Sequence, residues 1–193
     1  MDRLYLMREA RSILQPYWLI SVGVCLVYAI VLGVPPELNT YGEGLSLLLA
    51  GPLNLGLCMY FLKISNSESP GIENIINGFQ PLLQVLLLYF VSSLLIVLGL
   101  LLFILPGIVL SMGFSMSYYI MAEQQDITFV EALQKSWDLT QDHKMDLFLL
   151  NIRFIPWYLL GLLSLVVGVF VVIPWHQTTL ALVYKELNAK KLK

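Results

Sequence analysis

The chain has 193 residues, of which 58% are apolar and 12% are charged, and its formal net charge is −2. An average soluble domain carries about 25% charged residues, and a chain of this length cannot bury so much apolar surface within itself. The composition therefore excludes an ordinary soluble globular protein and predicts a protein that spans a lipid bilayer.

The chain opens with a short amphipathic segment that is followed by a long apolar one. Residues 2–14 place Leu6, Ala10 and Ile13 on one helical face and Arg3, Arg8 and Arg11 on the other. Such a helix is expected to lie in the membrane interface. Residues 16–35 are long enough to cross the hydrocarbon. This run is longer than the apolar part of a signal peptide and no small-residue cleavage site follows it, so we expect it to remain as a first span.

A second span over 44–63 leads into a second amphipathic segment over 70–78. Its apolar residues recur at helical spacing and form one face; they are Ile72, Ile75, Ile76 and Phe79. Ser69 is the expected N-cap, Pro70 falls in the first turn and Gly78 follows the end. The pattern predicts a second interfacial helix.

The apolar run over 81–122 is too long for a single crossing. As one helix it would measure about 63 Å, roughly twice the thickness of the hydrocarbon. Pro106 lacks the N–H that a continuing helix needs, and Gly107 permits a turn. We therefore expect FILPGIVL, residues 103–110, to be a hairpin tip that turns at Pro106-Gly107, with a third span over 81–103 and a fourth over 106–122.

A third amphipathic segment is predicted over 128–140. Thr128 and Glu131 have the spacing of a capping box, which marks a helix N-terminus. The helix that follows sets Val130, Leu133 and Trp137 on one face and Glu131, Gln134, Lys135 and Asp138 on the other. We expect this helix to lie in the interface, with Trp137 as its largest apolar anchor.

The last apolar run, 147–187, allows two arrangements. A break near 161–164 gives two spans over 147–163 and 164–186, whereas a break at Pro174 gives one span and an interfacial helix. The first arrangement places every Lys and Arg at or near an inner end, with Arg153 about two turns inside the fifth span, and the positive-inside rule favours it. The prediction is an all-α polytopic membrane bundle: a single domain of about six spans in three hairpins, each preceded by a cytoplasmic-side interfacial helix, with both termini cytoplasmic.

Several short motifs occur in an order that is similar to one known family. They are Pro106-Gly107-Ile108, Tyr118-Tyr119, Ala122-Glu123, EALQKSWDL with Lys144 and Phe148, Trp157, Pro174 with Thr178, Ala181 and Tyr184, and the opening REARSIL with Trp18. Together they resemble an uncharacterised bacterial multi-pass membrane family, domain of unknown function 975, related to the membrane domain of some glycerophosphoryl diester phosphodiesterases. The resemblance implies a six-span protein of the bacterial cytoplasmic (inner) membrane and implies no known activity. Trp175 departs from the family pattern, where Tyr is expected, as does Gln141-Asp142, where a Gly-polar turn is usual.

Polar residues near the middle of the sixth span form the first candidate site. Hydrocarbon cannot satisfy His176, Gln177 and Thr178, so they are expected to face a cavity or another helix. One interpretation is a substrate or proton site with His176 at its centre, since imidazole changes charge near neutral pH. The other, which we favour, is hydrogen bonding between helices around a kink at Pro174, with a threonine bonding the freed carbonyls.

The fifth span carries a second polar pair, Asn151 and Arg153. Arg153 is a candidate ligand for a lipid phosphate at the inner leaflet, as in basic pockets between spans. Alternatively, it extends its guanidinium to the interface and pairs with a carboxylate; the expected partners are Glu123, Glu131 or Asp146.

Small residues at spacing four along the fourth span permit close helix packing. They are Gly107, Ser111 and Ser115, and they predict either packing within the bundle, which we favour, or a seam with a second copy of the chain. His143 with Asp142 and Asp146 is too sparse a set for a metal site, and we expect no metal and no cofactor.

The chain shows no catalytic triad, metalloprotease motif, phosphate loop or basic stripe for nucleic acid. We therefore expect a non-enzymatic membrane protein that acts as a scaffold or accessory subunit for a membrane partner or a lipid-related process. Its expected partners are membrane lipids and a membrane protein or a second copy, and not nucleic acid. The alternative is a small-solute or lipid transporter with a polar site in spans five and six.

Overall fold

The computed structural model describes residues 2–38, 40–124, 126–164 and 167–191; at 34–38, 40–41 and 167 it describes the backbone only. Over these ranges the chain is helical and contains no strand. The helices are α1 (Arg3–Leu14), α2 (Trp18–Leu38), α3 (Thr40–Ser65), α4 (Glu73–Asn77), α5 (Leu82–Leu102), α6 (Ile104–Gly113), α7 (Ser117–Glu123), α8 (Phe129–Thr140), α9 (Lys144–Leu163) and α10 (Val167–Lys191), with a 3-10 turn over Gln15–Tyr17.

Five helical stretches of the described chain are long and apolar enough to cross a bilayer. They are Arg3–Gly33, Gly42–Ser65, Leu82–Leu102, Ile104–Glu123 and Lys144–Leu163. Helix α10 is 25 residues long; it begins beside residues 165 and 166, which lie outside the described residues, and it is not among the five. The all-helical membrane fold is as predicted, and five of the six predicted spans correspond to these stretches.

Helices α3 and α10 lie at the centre of the bundle. Helix α10 contacts α1, α2, α3 and α9, and α3 contacts α2, α4, α5 and α7. The largest fully buried side chains include Tyr60 and Phe61 of α3 and Phe154 of α9. Tyr60 also shares a 3.1 Å hydrogen bond with Ser21 of α2, which fixes α2 against α3 at this point.

The long apolar run over 81–122 divides into two helices, as predicted, but the turn lies elsewhere. Helix α5 ends at Leu102, Phe103 alone is extended (φ −158°, ψ 144°), and α6 begins at Ile104. The break therefore lies within the predicted hairpin tip of 103–110, but the turn at Pro106-Gly107 is wrong. Pro106 falls in the first turn of α6, where its missing N–H has no helical partner to lose. A Cβ on Gly107 would lie 2.4 Å from the Leu100 side chain, so glycine allows α5 and α6 to pack closely.

The fourth predicted span contains a break that the sequence did not suggest. Helix α6 ends at Gly113 and α7 begins at Ser117, with a turn between them. Helix α8 packs against both halves and against α5 and α10. The break therefore coincides with the place where α8 enters the bundle.

The three predicted amphipathic segments are helical in part or in full. Helix α4 is only five residues long and begins at Glu73, so the Ser69 cap is wrong, and its N-cap Ile72 makes no side-chain cap. The capping box of α8 is confirmed: Thr128 Oγ1 accepts from the Glu131 N–H at 3.3 Å, and Glu131 Oε2 accepts from the Thr128 N–H at 3.2 Å.

Helix α8 buries one face against the protein, while Val130 is 44% exposed. The prediction that its apolar face, with Val130, Leu133 and Trp137, lies in the membrane interface stays a prediction. The buried residues of α8 are Ala132, Leu133, Ser136, Leu139 and Thr140. Small and hydroxylated residues face the neighbouring helices because those helices approach closely here. Helix α8 is therefore packed within the protein along this face.

The last apolar run breaks where expected. Helix α9 ends at Leu163, and α10 continues through Pro174 without ending. Residues 165 and 166 of the predicted sixth span lie outside the described residues. Beside the break, α9 and α10 approach closely, because a Cβ on Gly161 would lie 2.8 Å from the backbone nitrogen of Val169.

Candidate functional site

The polar stretch of α10 begins at Pro174, inside the helix. A proline removes one helical N–H and leaves the carbonyl four residues earlier without its donor. Thr178 Oγ1 donates to the Pro174 carbonyl at 2.8 Å, and Thr179 Oγ1 donates to the Trp175 carbonyl at 2.8 Å. Both threonines are fully buried. Both threonines bond carbonyls of their own helix, but neither bonds the Phe170 carbonyl, which Pro174 leaves without a donor. The prediction that a threonine bonds this carbonyl is therefore wrong.

Gln177 connects α10 to α7. The Tyr119 hydroxyl lies 3.0 Å from Gln177 Oε1 and 3.2 Å from its backbone carbonyl. Tyr119 is buried and stacks on Tyr184, with ring centroids 5.9 Å apart. The Tyr184 hydroxyl in turn donates to Glu123 of α7, which also accepts a 3.3 Å bond from Asn188. These contacts form one hydrogen-bonded seam between α7 and α10.

His176 connects α10 to α9. Its Nδ1 lies 2.9 Å from the Tyr158 hydroxyl, and its ring lies 4.4 Å from that of Phe154. Its Nε2 is buried and has no hydrogen-bond partner within the described residues. The imidazole is thus held by one hydrogen bond and by ring contacts with Phe154 and Tyr158 of the same helix.

Trp175 connects α10 to α1, which the sequence did not suggest. Its indole Nε1 donates to the Met7 carbonyl at 2.7 Å, and the side chain is 8% exposed. Its ring packs edge-on against Phe154 and Trp157, at 5.1 and 5.2 Å. The Arg11 guanidinium lies over the same ring at 6.0 Å, near the limit of a cation–π contact. The only sequence signal was that Trp175 departs from the family pattern.

The structure does not bring the predicted site residues to one point. His176 faces α9, Gln177 faces α7 and Thr178 bonds its own helix. Five well-formed pockets lie in the part of the chain that the structure describes, and none of these five is lined by the three residues. The arrangement resembles packing between helices more than an open polar cavity.

Asn151 and Arg153 also point away from one another. Asn151 Nδ2 donates to the Leu147 carbonyl at 2.8 Å and lies 3.8 Å from the sulfur of Met112 on α6. Arg153 is exposed on α9. Within the described residues it forms no ion pair, so the expected pairing with a carboxylate is wrong. The expected carboxylate partners have other contacts: Glu123 with Tyr184, Glu131 with Thr128, and Asp146 with Arg3 and His143.

Side chains of α8 form hydrogen bonds with the backbone at the break between α6 and α7. Ser136 Oγ donates to the Gly113 carbonyl at 2.7 Å and accepts from the Met116 N–H at 3.2 Å. Thr140 Oγ1 also lies 3.2 Å from the Gly113 carbonyl. Backbone groups that a continuous helix would bond internally are therefore satisfied by hydroxyls from another helix.

The predicted interface residues lie beside this junction. The Trp137 ring packs on Gly113, whose added Cβ would lie 2.4 Å from Trp137 Cε3. Lys144 Nζ lies 3.0 Å from the centre of the same ring. Ser111 and Ser115 donate to carbonyls of their own helical turn, Ile108 and Met112. Gly107, Gly113 and Trp137 therefore contact neighbours within the same chain.

Residues 87–191, which run from α5 to α10, match the family described as "Protein of unknown function (DUF975)". The chain belongs to this family. It is also 37% identical over 95 residues to the UPF0259 membrane protein SG1383 of Sodalis glossinidius (strain morsitans), a match that covers 49% of this chain and 36% of that relative. The match thus spans about a third of the relative's length. No solved structure matches the chain.

The family match covers the junction of α8 with α6 and α7 and the whole of the described part of α10. It begins at residue 87, so it does not extend to the opening motif or to Trp18, where the resemblance was also noted. Together with the apolar helices, the match and the relative establish a multi-pass membrane protein of an uncharacterised family.

Proposed function

We propose that the protein is a non-enzymatic scaffold or accessory subunit for a membrane partner or a lipid-related process. One observation supports this most strongly: the polar side chains of α10 are bonded to the protein's own helices. Gln177 is bonded by Tyr119, His176 by Tyr158 and Thr178 by its own backbone. Polar groups with these contacts stabilise helix packing and do not line a path for solute.

The substitution His176→Gln tests this proposal. Glutamine retains one donor and one acceptor, so a packing role predicts a loss of about 1 kcal/mol in stability, normal insertion and full complementation of a deletion strain. Tyr158→Phe, which removes the partner hydroxyl, is the matched variant and should behave alike. A well-folded His176→Gln protein that fails to complement would contradict the scaffold role.

The alternative is a transporter of small solutes or lipids. The observation that favours it is the buried Nε2 of His176, which has no partner within the described residues. Prolines inside α3, α9 and α10 are also typical of helices that form transport sites; they are Pro52, Pro156 and Pro174. Failure of His176→Gln to complement, with wild-type folding, would support this alternative.

We further propose that the chain has six spans, with α10 as the sixth, and that both termini lie on the cytoplasmic side of a bacterial inner membrane. We also propose that the family is related to the membrane domain of some glycerophosphoryl diester phosphodiesterases. In this arrangement the α2–α3 turn and the tail lie on opposite sides. Cysteines at Gly44, where an added Cβ meets open space, and at exposed Lys190 report the two sides. An impermeant thiol reagent should label only Gly44→Cys in intact cells. Labelling of both from outside would favour five spans.

A further inference from the structure

A basic pocket lies on α1 and the start of α2, apart from the polar residues of α10. Its volume is about 560 Å³, within the range of about 300–1,000 Å³ that is typical of ligand pockets. It is lined by Arg8, Arg11, Ser12, Gln15 and Trp18. These residues are separate from the buried face of α1, although Arg11 lies over the Trp175 ring of α10.

Every residue of this pocket offers a hydrogen-bond donor. The donors are two guanidinium groups, a hydroxyl, a side-chain amide and an indole N–H. Four of the five residues follow the spacing i, i+3, i+4 and i+7, so they share one face of the helix. None of the lining residues is acidic. The pocket is therefore suited to an anion with several acceptor oxygens.

Within the described residues, neither arginine of the pocket has an acidic partner. Arg8 and Arg11 are exposed, and the ion pairs of the described residues involve Arg3, His143 and Lys190 instead. Arg11 lies over the ring of Trp175, and Trp175 is hydrogen-bonded to Met7 of the same α1 helix. Arg11 thus lies beside an aromatic ring, and Arg8 is exposed.

The pocket lies on a helix whose other face is packed into the protein. Helix α1 buries Leu6, Met7, Ala10 and Leu14, and it packs mainly against α10. Its exposed face is therefore held in place by the buried one. Such a face presents its donors with little loss of conformational freedom on binding.

The position of the pocket along the chain indicates a lipid as the source of the anion. Trp18 is the first residue of α2, and the apolar stretch that can cross the bilayer continues from it. Tryptophan is enriched where a span enters the headgroup region. Exposed guanidinium groups are unfavourable in hydrocarbon but favourable beside anionic headgroups. Arginine also binds phosphate through two parallel hydrogen bonds.

We propose that Arg8 and Arg11, with Ser12, Gln15 and Trp18, bind the phosphate of an anionic phospholipid headgroup. The site goes beyond the scaffold role and does not depend on it. The two arginines supply the charge, and the three neutral donors orient the phosphate and its glycerol oxygens.

Native mass spectrometry of the full chain in neutral detergent tests this site, because it resolves the first bound lipid from later ones. Phosphatidylglycerol and phosphatidylcholine with the same acyl chains are the probes. The first phosphatidylglycerol should bind at least about 10-fold more tightly than phosphatidylcholine. Arg8→Gln/Arg11→Gln should weaken phosphatidylglycerol binding about 25-fold, and Arg8→Gln alone about 5-fold.

The matched control is Lys63→Gln/Lys190→Gln, which removes the same charge from exposed residues outside the pocket. This variant should weaken binding less than about 3-fold. Equal losses in the two double variants, or no preference for phosphatidylglycerol in the wild type, would overturn the proposal. Millimolar inorganic phosphate should not displace the lipid; displacement would identify a site for free phosphate instead. Circular dichroism and elution volume verify folding, and Arg8→Gln keeps the test valid if the double variant misfolds.

Discussion

Trp175 of α10 contacts α1, so the polar residues of α10 lie near those on the outer face of α1. The surroundings of these two groups of polar residues nevertheless differ. On α10, His176, Gln177 and Thr178 are each bonded within the protein. On α1, Arg8 and Arg11 have no acidic partner within the described residues. Polar groups inside the bundle are thus bonded by the protein itself, whereas those outside remain available for a ligand.

The junction of α8 with α6 and α7 is a second place where polar groups inside the bundle are bonded by the protein. Ser136 is fully buried and bonds backbone groups on both sides of the break in the fourth predicted span. Removing a hydroxyl of this kind leaves buried backbone groups without partners, which costs more than losing an exposed hydrogen bond. The difference between inner and outer polar groups can therefore be measured as a difference in stability.

The largest effect is expected for Gly113→Ala. The added methyl group would lie 2.4 Å from Trp137 Cε3. Because the indole ring is rigid, α8 has to shift with it, and we expect a loss of about 3 kcal/mol in the free energy of unfolding. Gly23→Ala is the control, since an added Cβ at Gly23 meets nothing within 4 Å and alanine favours a helix by about 1 kcal/mol. Unfolding in mixed micelles measures both free energies. Similar values for the two variants would contradict the packing of α8 on α6.

A smaller effect is expected for Ser136→Ala. The Met116 N–H loses its acceptor and the Gly113 carbonyl loses its closer donor, so we expect a loss of about 2 kcal/mol in the free energy of unfolding. Ser115→Ala, which removes only a bond to the same helical turn, should cost less than about 0.5 kcal/mol. The same unfolding measurement compares them. A loss in Ser115→Ala as large as that in Ser136→Ala would rule out a special role for the junction.

The smallest effect on stability is expected for Arg153→Gln. Arg153 is exposed and forms no ion pair within the described residues, so the free energy of unfolding should change by less than about 0.5 kcal/mol. Unfolding in neutral detergent, without anionic lipid, measures the contribution of Arg153 to protein stability apart from any lipid binding. A loss above about 2 kcal/mol would show that Arg153 is paired inside the protein after all.

Local signals in the sequence predicted the helices and several of their ends. The capping box at Thr128 depends on residues three positions apart, and the division of 81–122 follows from the thickness of a bilayer. The exact turn was missed because proline is tolerated in the first turn of a helix as well as in a loop. Phe103 carries no local signal for an extended backbone.

Contacts between distant segments could not be predicted in the same way. The break at Gly113 depends on Ser136, which lies 23 residues later, and the bond from Trp175 to Met7 joins residues 168 positions apart. Polar spacing along α10 predicted that His176 and Gln177 would face a cavity or another helix. It did not show that they face different helices, because that depends on how α7 and α9 pack around α10.

The most direct test compares the chemical accessibility of the two regions in the membrane. Thr178→Cys and Ser12→Cys are small substitutions in a chain whose Cys25 and Cys58 are replaced by alanine. Thr178 is fully buried, whereas Ser12 is exposed and lines the basic pocket. With a small hydrophilic thiol reagent in inside-out vesicles, Ser12→Cys should react rapidly and Thr178→Cys should not react until the protein is unfolded. Rapid reaction at residue 178 in the folded protein would reveal a water-filled path beside α10 and contradict the account.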